Sequence, residues 1–377
     1  MTSELTNALN QILKWIKKNK PWYVKYLQPG LSRGEIENLV RDLQIQLPSE
    51  VYELYQWRNG ASEGDLGQET AWLFQNWTFK PLQEVVAQYK KSLSNQPNRD
   101  LSRNQCNSYF SNFERLEIFY NPWQSQTGLI LINTILDFCP VILEYFDEGD
   151  LSILQKYTSI TTMMQTMAEC YETGAYYIDP KVYEGYFISC HPQKEHLIWR
   201  KYNSKIIEFA LPALQQGSLC GQFFIYFSQD LIEFKELRAV EPLVQALQKP
   251  IDLSGDFFNY INPKEEIAKI LGELGDRRTV SVIISVLEDE SDNWYYRTRV
   301  AAAKSLGQLK DKRATDSLLN ALQDNISDVR RTAAWALGEI KDIKAVEPLS
   351  QLLGDEDNSV NEAVQEALQK LRNINNM

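Results

Sequence analysis

Lys344-Ala345-Val346-Glu347-Pro348-Leu349 restates Arg238-Ala239-Val240-Glu241-Pro242-Leu243, and Arg278-Thr279-Val280 and Arg313-Ala314-Thr315 hold the same slot between them. A second phrase alternates with the first: Ile270-Leu271-Gly272-Glu273-Leu274, Ser305-Leu306-Gly307-Gln308-Leu309 and Ala336-Leu337-Gly338-Glu339-Ile340. Each is followed by an aspartate, Asp276, Asp311 or Asp342, placed to accept the exposed N–H groups of the next helix. Two alternating helical phrases at a near-constant period mark an α-solenoid, whose repeats bury their apolar faces against one another. Val329, Ala333, Ala336, Leu337 and Ile340 form one such face, and Val346, Leu349, Leu352 and Leu353 another. The glycines of the second phrase stand near helix ends, where a missing side chain relieves crowding at the turn. Trp335, next to the Ala336-Leu337-Gly338 phrase, reads as structural, with part of its ring against a neighbouring repeat.

The slot begins at 238, 278, 313 and 344, so the interval shrinks from 40 to 35 to 31 residues. The surplus falls between the first and second helix of a unit and emerges on one edge of the solenoid, where insertions build binding faces. It is aromatic: Phe257, Phe258 and Tyr260 in one insertion, Trp294, Tyr295 and Tyr296 in the other. These rings either pad and seal the long loops or form a partner-binding edge, since Trp and Tyr are enriched at interfaces. Four helix pairs are expected from Arg238. The last should turn the polar run Asn358-Ser359, Asn361-Glu362 and Gln365-Glu366 outward as a cap.

Ahead of the repeats the pattern changes. Leu5, Leu9, Ile12, Leu13 and Ile16 make a first amphipathic helix that ends before Pro21. Ser32 and Glu35 form a capping box for a second helix, whose buried face is Ile36, Leu39, Val40 and Leu43. A third helix opens at Leu47-Pro48-Ser49 and stops at Asn59-Gly60. From Asn121 to Tyr157 the chain reads as strands, then from Ser159 to Glu172 as a helix with Ile160, Met163, Met164, Met167 and Ala168 inward. The fold class is therefore an α+β N-terminal domain followed by an all-α solenoid. The expected divisions are 1–174, an extension or adaptor over 175–237, and the repeats over 238–377. Trp57-Arg58 ends the third helix, either as a packed terminus or as a rim that meets a partner.

Among 377 residues the net charge is −11, and the part from Arg238 onward carries 18 basic and 23 acidic residues. Both halves are acidic, which argues against nucleic acid or anionic lipid as partners and against a basic stripe on one solenoid edge. No run of about 18 apolar residues is present and no basic-then-apolar leader opens the chain, so the expectation is a cytoplasmic protein without a membrane span. The five scattered cysteines form no CxxC pair and read as reduced thiols. Cys190, His191 and His196 lie close in sequence but lack metal-ligand spacing, and nothing fixes a base on the thiol. There is no phosphate loop and no nucleophile elbow. No catalytic, cofactor or metal residues are expected.

The repeat phrases resemble HEAT repeats of the phycobilisome-lyase type. The motifs Leu31-Ser32 with Glu35-Ile36, Leu47-Pro48 with Tyr52, Leu54-Tyr55 and Asn59-Gly60, then Phe79-Lys80-Pro81-Leu82, resemble the SUKH superfamily over roughly residues 20–175. Ile142-Leu143-Glu144-Tyr145-Phe146 departs from that family's usual strand-end pattern. The two resemblances together imply a non-enzymatic, protein-binding scaffold, an immunity-type protein that neutralises a toxin by direct binding or a regulatory adaptor. The repeat type alone implies the alternative, a bilin lyase, isomerase or chaperone acting on phycobiliproteins.

Overall fold

The computed structural model describes residues 2–43, 45–61, 77–94, 114–121, 126–132, 139–147, 150–179, 181, 188–208, 211, 214, 221–247, 263–289 and 296–375. The chain divides into two compact units, one of Met1–Ser102 with Ser108–Phe209, the other of Arg103–Asn107 with Ala210–Met377. The division falls inside 175–237, the stretch read as an extension or adaptor.

In the first unit, helix α1 (Glu4–Asn19) buries the five apolar positions read from its periodicity, together with Ala8. Pro21 opens a short 3-10 turn instead of continuing it. Strand β1 (Leu27–Pro29) leads to α2 (Arg33–Val40), where the Ser32–Glu35 capping box is present in both directions. Helix α3 (Ser49–Trp57) runs into β2 (Arg58–Ala61), which pairs antiparallel with β1. After β3 (Thr78–Phe79) and α4 (Leu82–Ser94), strands β4 (Glu114–Asn121), β5 (Gln126–Ile132), β6 (Val141–Asp147) and β7 (Asp150–Tyr157) complete a five-stranded antiparallel meander in the order β3-β4-β5-β6-β7. Helix α4 packs on β4, and α5 (Ile160–Thr173) lies between α1 and β7. A two-stranded ribbon, β8 (Tyr176–Ile178) with β9 (Ile188–Cys190), and α6 (Pro192–Asn203) finish the unit. The methionines of α5 are all buried.

One short helix organises two others. The carboxylates of Glu50 and Glu53 stand one turn apart on α3. Glu50 accepts from the N–H groups of Ile160 (3.3 Å) and Thr161 (3.0 Å) at the start of α5. Glu53 accepts from the Thr6 N–H (3.0 Å) and hydroxyl (2.6 Å) at the start of α1. Each supplies negative charge where exposed N–H groups need it. Glu50→Ala and Glu53→Ala should each cost about 1–2 kcal/mol in urea denaturation. Glu37→Ala, which removes only an exposed Arg33 pair, should stay within about 0.5 kcal/mol. Equal effects at all three positions would deny the caps.

The second unit is helical in its described residues: α7 (Gly221–Glu233), then four pairs, α8 (Val240–Leu247) with α9 (Pro263–Leu274), α10 (Val280–Leu287) with α11 (Tyr296–Leu309), α12 (Thr315–Ala321) with α13 (Ser327–Ile340), and α14 (Val346–Gln351) with α15 (Asn358–Asn375). The second helices α9, α11, α13 and α15 pack successively on one another, and α7 packs on α9. Helical packing thus begins before Arg238. Every pair starts the same way. A residue at positive φ (Lys235, Gly275, Lys310, Lys341) ends the preceding helix, and the next residue (Glu236, Asp276, Asp311, Asp342) accepts the N–H two positions on.

The phrase glycines have a different role from the one their position suggested. They lie inside the second helices, and the crowding comes from the next repeat rather than from the turn. A Cβ on Gly307 would stand 2.6 Å from Trp335 Cζ3 and 2.9 Å from Ala336 Cα, and one on Gly338 would stand 2.9 Å from Ala367 Cα. The glycines let successive backbones approach. A buried ion pair repeats with them: Arg299 forks onto Asp324 and Arg330 onto Asp355, each from a second helix to the loop of the following pair. Leu353, placed on a buried face by periodicity, is exposed because α14 stops at Gln351.

Candidate functional site

Of the residues singled out as a partner edge, Phe257, Phe258, Tyr260, Trp294 and Tyr295 lie outside the described residues. Tyr296 is the first residue of α11 and is half-buried. It shares a helix face with Val300 and Lys304, one and two turns on. Trp57 and Arg58 stay on the surface of the first unit. Trp57 donates from Nε1 to Asn10 Oδ1 on α1 (3.1 Å), and the Arg58 guanidinium lies over its ring at 5.6 Å. Asn59 beside them is buried, accepting from Leu82 N–H and donating to Gln28 and Gln83. That cluster is a packed helix end with a half-buried rim.

The face carrying Val300 and Lys304 opens into a groove of about 480 Å³ across three successive second helices. Its floor is Val300 from α11, Trp335 from α13 and Ala363 from α15. Trp335 is half-buried, with one edge of its indole over Gly307 and the rest lining the groove. The ring therefore does pack on a neighbouring repeat, as the sequence suggested, yet it also offers apolar surface to solvent.

Charge divides across this floor. Lys304 on α11 and Arg331 on α13 carry its positive charge, Glu362 and Glu366 on α15 its negative charge. Lys304, Glu362 and Glu366 are exposed and make no hydrogen bond or ion pair with any described residue, while Arg331 pairs with Asp328 at 2.5 Å. The groove hydroxyls are already committed, Thr332 to Asp328 O (2.7 Å) and Ser359 to Asp357 Oδ1 (2.7 Å). Hydrogen bonds from the Ser359 and Ser327 hydroxyls, reinforced by the Ser359 N–H, hold the Asp357 carboxyl down at about 2, so it stays ionised as the cap of α15. Glu362 and Glu366 belong to the run read as a polar end-cap. Nothing within the run signals that it also lines a groove, because the groove exists only once three repeats stack.

In the first unit, Cys190, His191 and His196 do not converge on one point. His191 stacks on Tyr177 (4.6 Å between centroids) and His196 on Trp199 (5.8 Å). Burial, with Glu195 adding its charge, pushes the Cys190 thiol up to about 11 and Cys170 up to about 12. Both are held as neutral thiols, the less nucleophilic form. Among the described residues no group of three or more His, Cys, Asp or Glu is placed to hold a metal ion. No helix among them is long and apolar enough to cross a membrane.

Residues 260–330 and 291–369 match the family of HEAT repeats. The C-terminal region of the chain carries HEAT repeats. Among solved structures, the complex of CpcE and CpcF of phycocyanin lyase from Nostoc sp. PCC7120 is similar at 27% identity and a TM-score of 0.37, over 44% of this chain and 65% of that one. The chain thus spans a little under two thirds of that neighbour. Human deoxyhypusine hydroxylase in complex with glycerol is similar at 17% identity and a TM-score of 0.21, over 56% of this chain and 98% of that one. No curated protein matches the chain in sequence.

Proposed function

We propose that this chain is a cytoplasmic, non-enzymatic protein-binding scaffold in which the HEAT groove around Trp335 is the principal contact surface. One observation carries the reading: a tryptophan on the floor of an open groove spanned by three repeats, with uncommitted charges of opposite sign on its walls. Buried aromatic anchors at the centre of an interface supply most of its affinity, while flanking charges set orientation and reject wrong partners. The first unit, read as SUKH-like from its motif order, supplies a second recognition element. It gives the chain the character of an immunity-type or regulatory adaptor.

The test is a photo-crosslinking residue placed at Thr332, with a second probe at Leu197 on the first unit. In cells, adducts should form from position 332 and disappear in the Lys304→Glu, Glu362→Lys double variant, whose melting temperature should match wild type because both side chains are exposed and neither pairs with a described residue. Adducts from 197 alone would move the binding surface off the groove. A bilin-bearing protein as the captured species, with a shift in its absorbance on mixing, would favour the lyase-type alternative instead.

A further inference from the structure

The turns that open the repeats form a row with a charge pattern that the acidic totals conceal. Each turn carries one carboxylate and two cations, and the third has one more, Lys310, which pairs with Glu339. Glu236, Asp276 and Asp311 are occupied, accepting the side chains of Arg238, Arg278 and Arg313 as well as their backbone N–H groups. Asp342 accepts the Lys344 N–H and the Thr315 hydroxyl. A second cation per turn is left over: Lys235, Arg277, Lys312 and Lys341 are all exposed and make no side-chain hydrogen bond or ion pair with any described residue. The acidic totals argued against a basic edge, but net charge sums over faces; the carboxylates near these turns, Asp316 and Glu339, pair with Lys344 and Lys310 and leave the four cations above uncommitted.

The last three turns are physically joined. Arg313 Nη2 donates to Arg277 O at 2.7 Å, and Thr315 Oγ1 donates to Asp342 Oδ2 at 3.0 Å. Their spacing follows that of packed helices, about 10 Å per repeat. At one position of this row the residue type alternates with meaning. Arg277 and Lys312 occupy it in the two middle turns, while Leu237 and Ile343 occupy it in the first and last, 53% and 58% exposed. Large apolar side chains left that open at both ends of a basic row describe a ligand, since polar residues would serve a turn equally well.

The geometry points to this turn row as a docking track for an extended acidic polypeptide segment, apolar at both ends. A segment in the extended polyproline II conformation advances about 3.1 Å per residue and returns to the same face every third residue, so three residues match one repeat. The fitting segment has an apolar residue, acidic residues three and six positions on, and a second apolar residue nine positions on. Nucleic acid fits less well: every turn keeps its own carboxylate, leaving a surplus of one charge per repeat on an acidic protein, whereas phosphate binding scales with the number of neutralised phosphates. The track is separate from the Trp335 groove, none of whose lining residues belongs to the turns, and does not depend on it.

The experiment uses the full chain and fluorescence anisotropy with a labelled synthetic peptide of that pattern, Leu at both ends and Asp or Glu at the two inner positions. A scrambled peptide of equal composition and a labelled DNA duplex serve as comparisons. Saturable binding to the patterned peptide is expected, weakening with salt. Arg277→Glu with Lys312→Glu should weaken it about tenfold or more, and Leu237→Ser with Ile343→Ser several-fold, with unchanged melting temperatures. Glu362→Lys in the groove should leave it unaltered. The proposal is overturned if the scrambled peptide binds as well, if neither peptide saturates, or if the charge reversal has no effect. It is also overturned if Glu362→Lys abolishes binding, or if the duplex binds more tightly and is lost in the same variants.

Discussion

Arg330→Ala should cost about 3–5 kcal/mol of solenoid stability, the largest loss expected from any single truncation discussed here. Arg330 forks onto Asp355 through Nε (2.8 Å) and Nη2 (2.9 Å), and its remaining nitrogen donates to Asp324 O (2.8 Å) and Asn325 O (3.3 Å). The two side chains are only 10% and 6% exposed, so removing the cation strands a carboxylate with little access to water. Arg330 also ties together the loops before α13 and α15, so its loss should loosen two repeats at once. Hydrogen exchange should localise the added opening to α13–α15, as expected for a stack whose repeats touch only their neighbours. A loss below about 1 kcal/mol would mean that the pair is replaceable by solvent.

The same pair sets how the solenoid responds to acid. Hydrogen bonds from Arg330 hold the Asp355 carboxyl below the usual carboxylate range, and those from Arg313 hold Asp311 down at about 2. A depressed folded value means the stabilisation is fully present above the unfolded value, near 3.9, and is lost as pH falls through the folded one. Stability should therefore be level from neutral pH to about 5 and fall between about pH 4 and 2. Arg330→Ala should start lower and fall less steeply, because Asp355 no longer titrates below its unfolded value.

Much of this architecture was legible because it is written in local chemistry. An aspartate recurs at three of the four turns, and the capping box at Ser32 and the methionine face of α5 need only spacing to be recognised. The repeats were readable for the same reason, since one unit's apolar stripe predicts its neighbour's. What escaped the sequence depends on partners distant in the chain. Glu50 looks like a solvated helix residue until α5 arrives more than a hundred positions later. Gly307 looks like a helix-end glycine until Trp335 is laid across it. The Trp335 groove and the turn row are products of stacking, so no window along the chain contains either. Glu236, which caps the first turn, carries a weaker signal, because Glu is a rarer N-cap than Asp.

Asn203 makes the same point in the first unit, and its removal should be the second large loss. The side chain is fully buried, accepting from Thr158 N–H (2.9 Å) and donating to Trp199 O (2.9 Å) and Thr166 Oγ1 (3.2 Å). It therefore joins the end of β7, α5 and α6 through one amide. Asn203→Ala should cost about 2–4 kcal/mol, because the Thr158 N–H is left buried without an acceptor and a small cavity opens. Asn203→Asp separates the two contributions. It keeps the shape and the acceptor but buries a charge facing a carbonyl, so it should be at least as damaging at neutral pH. A buried carboxyl has a raised folded value, and its neutral form is the one the site tolerates. Stability of Asn203→Asp should therefore recover relative to wild type as pH falls toward 4, whereas Asn203→Ala should show no such recovery. Parallel pH profiles for the two variants would show that packing, not the amide's hydrogen bonds, is what the position requires.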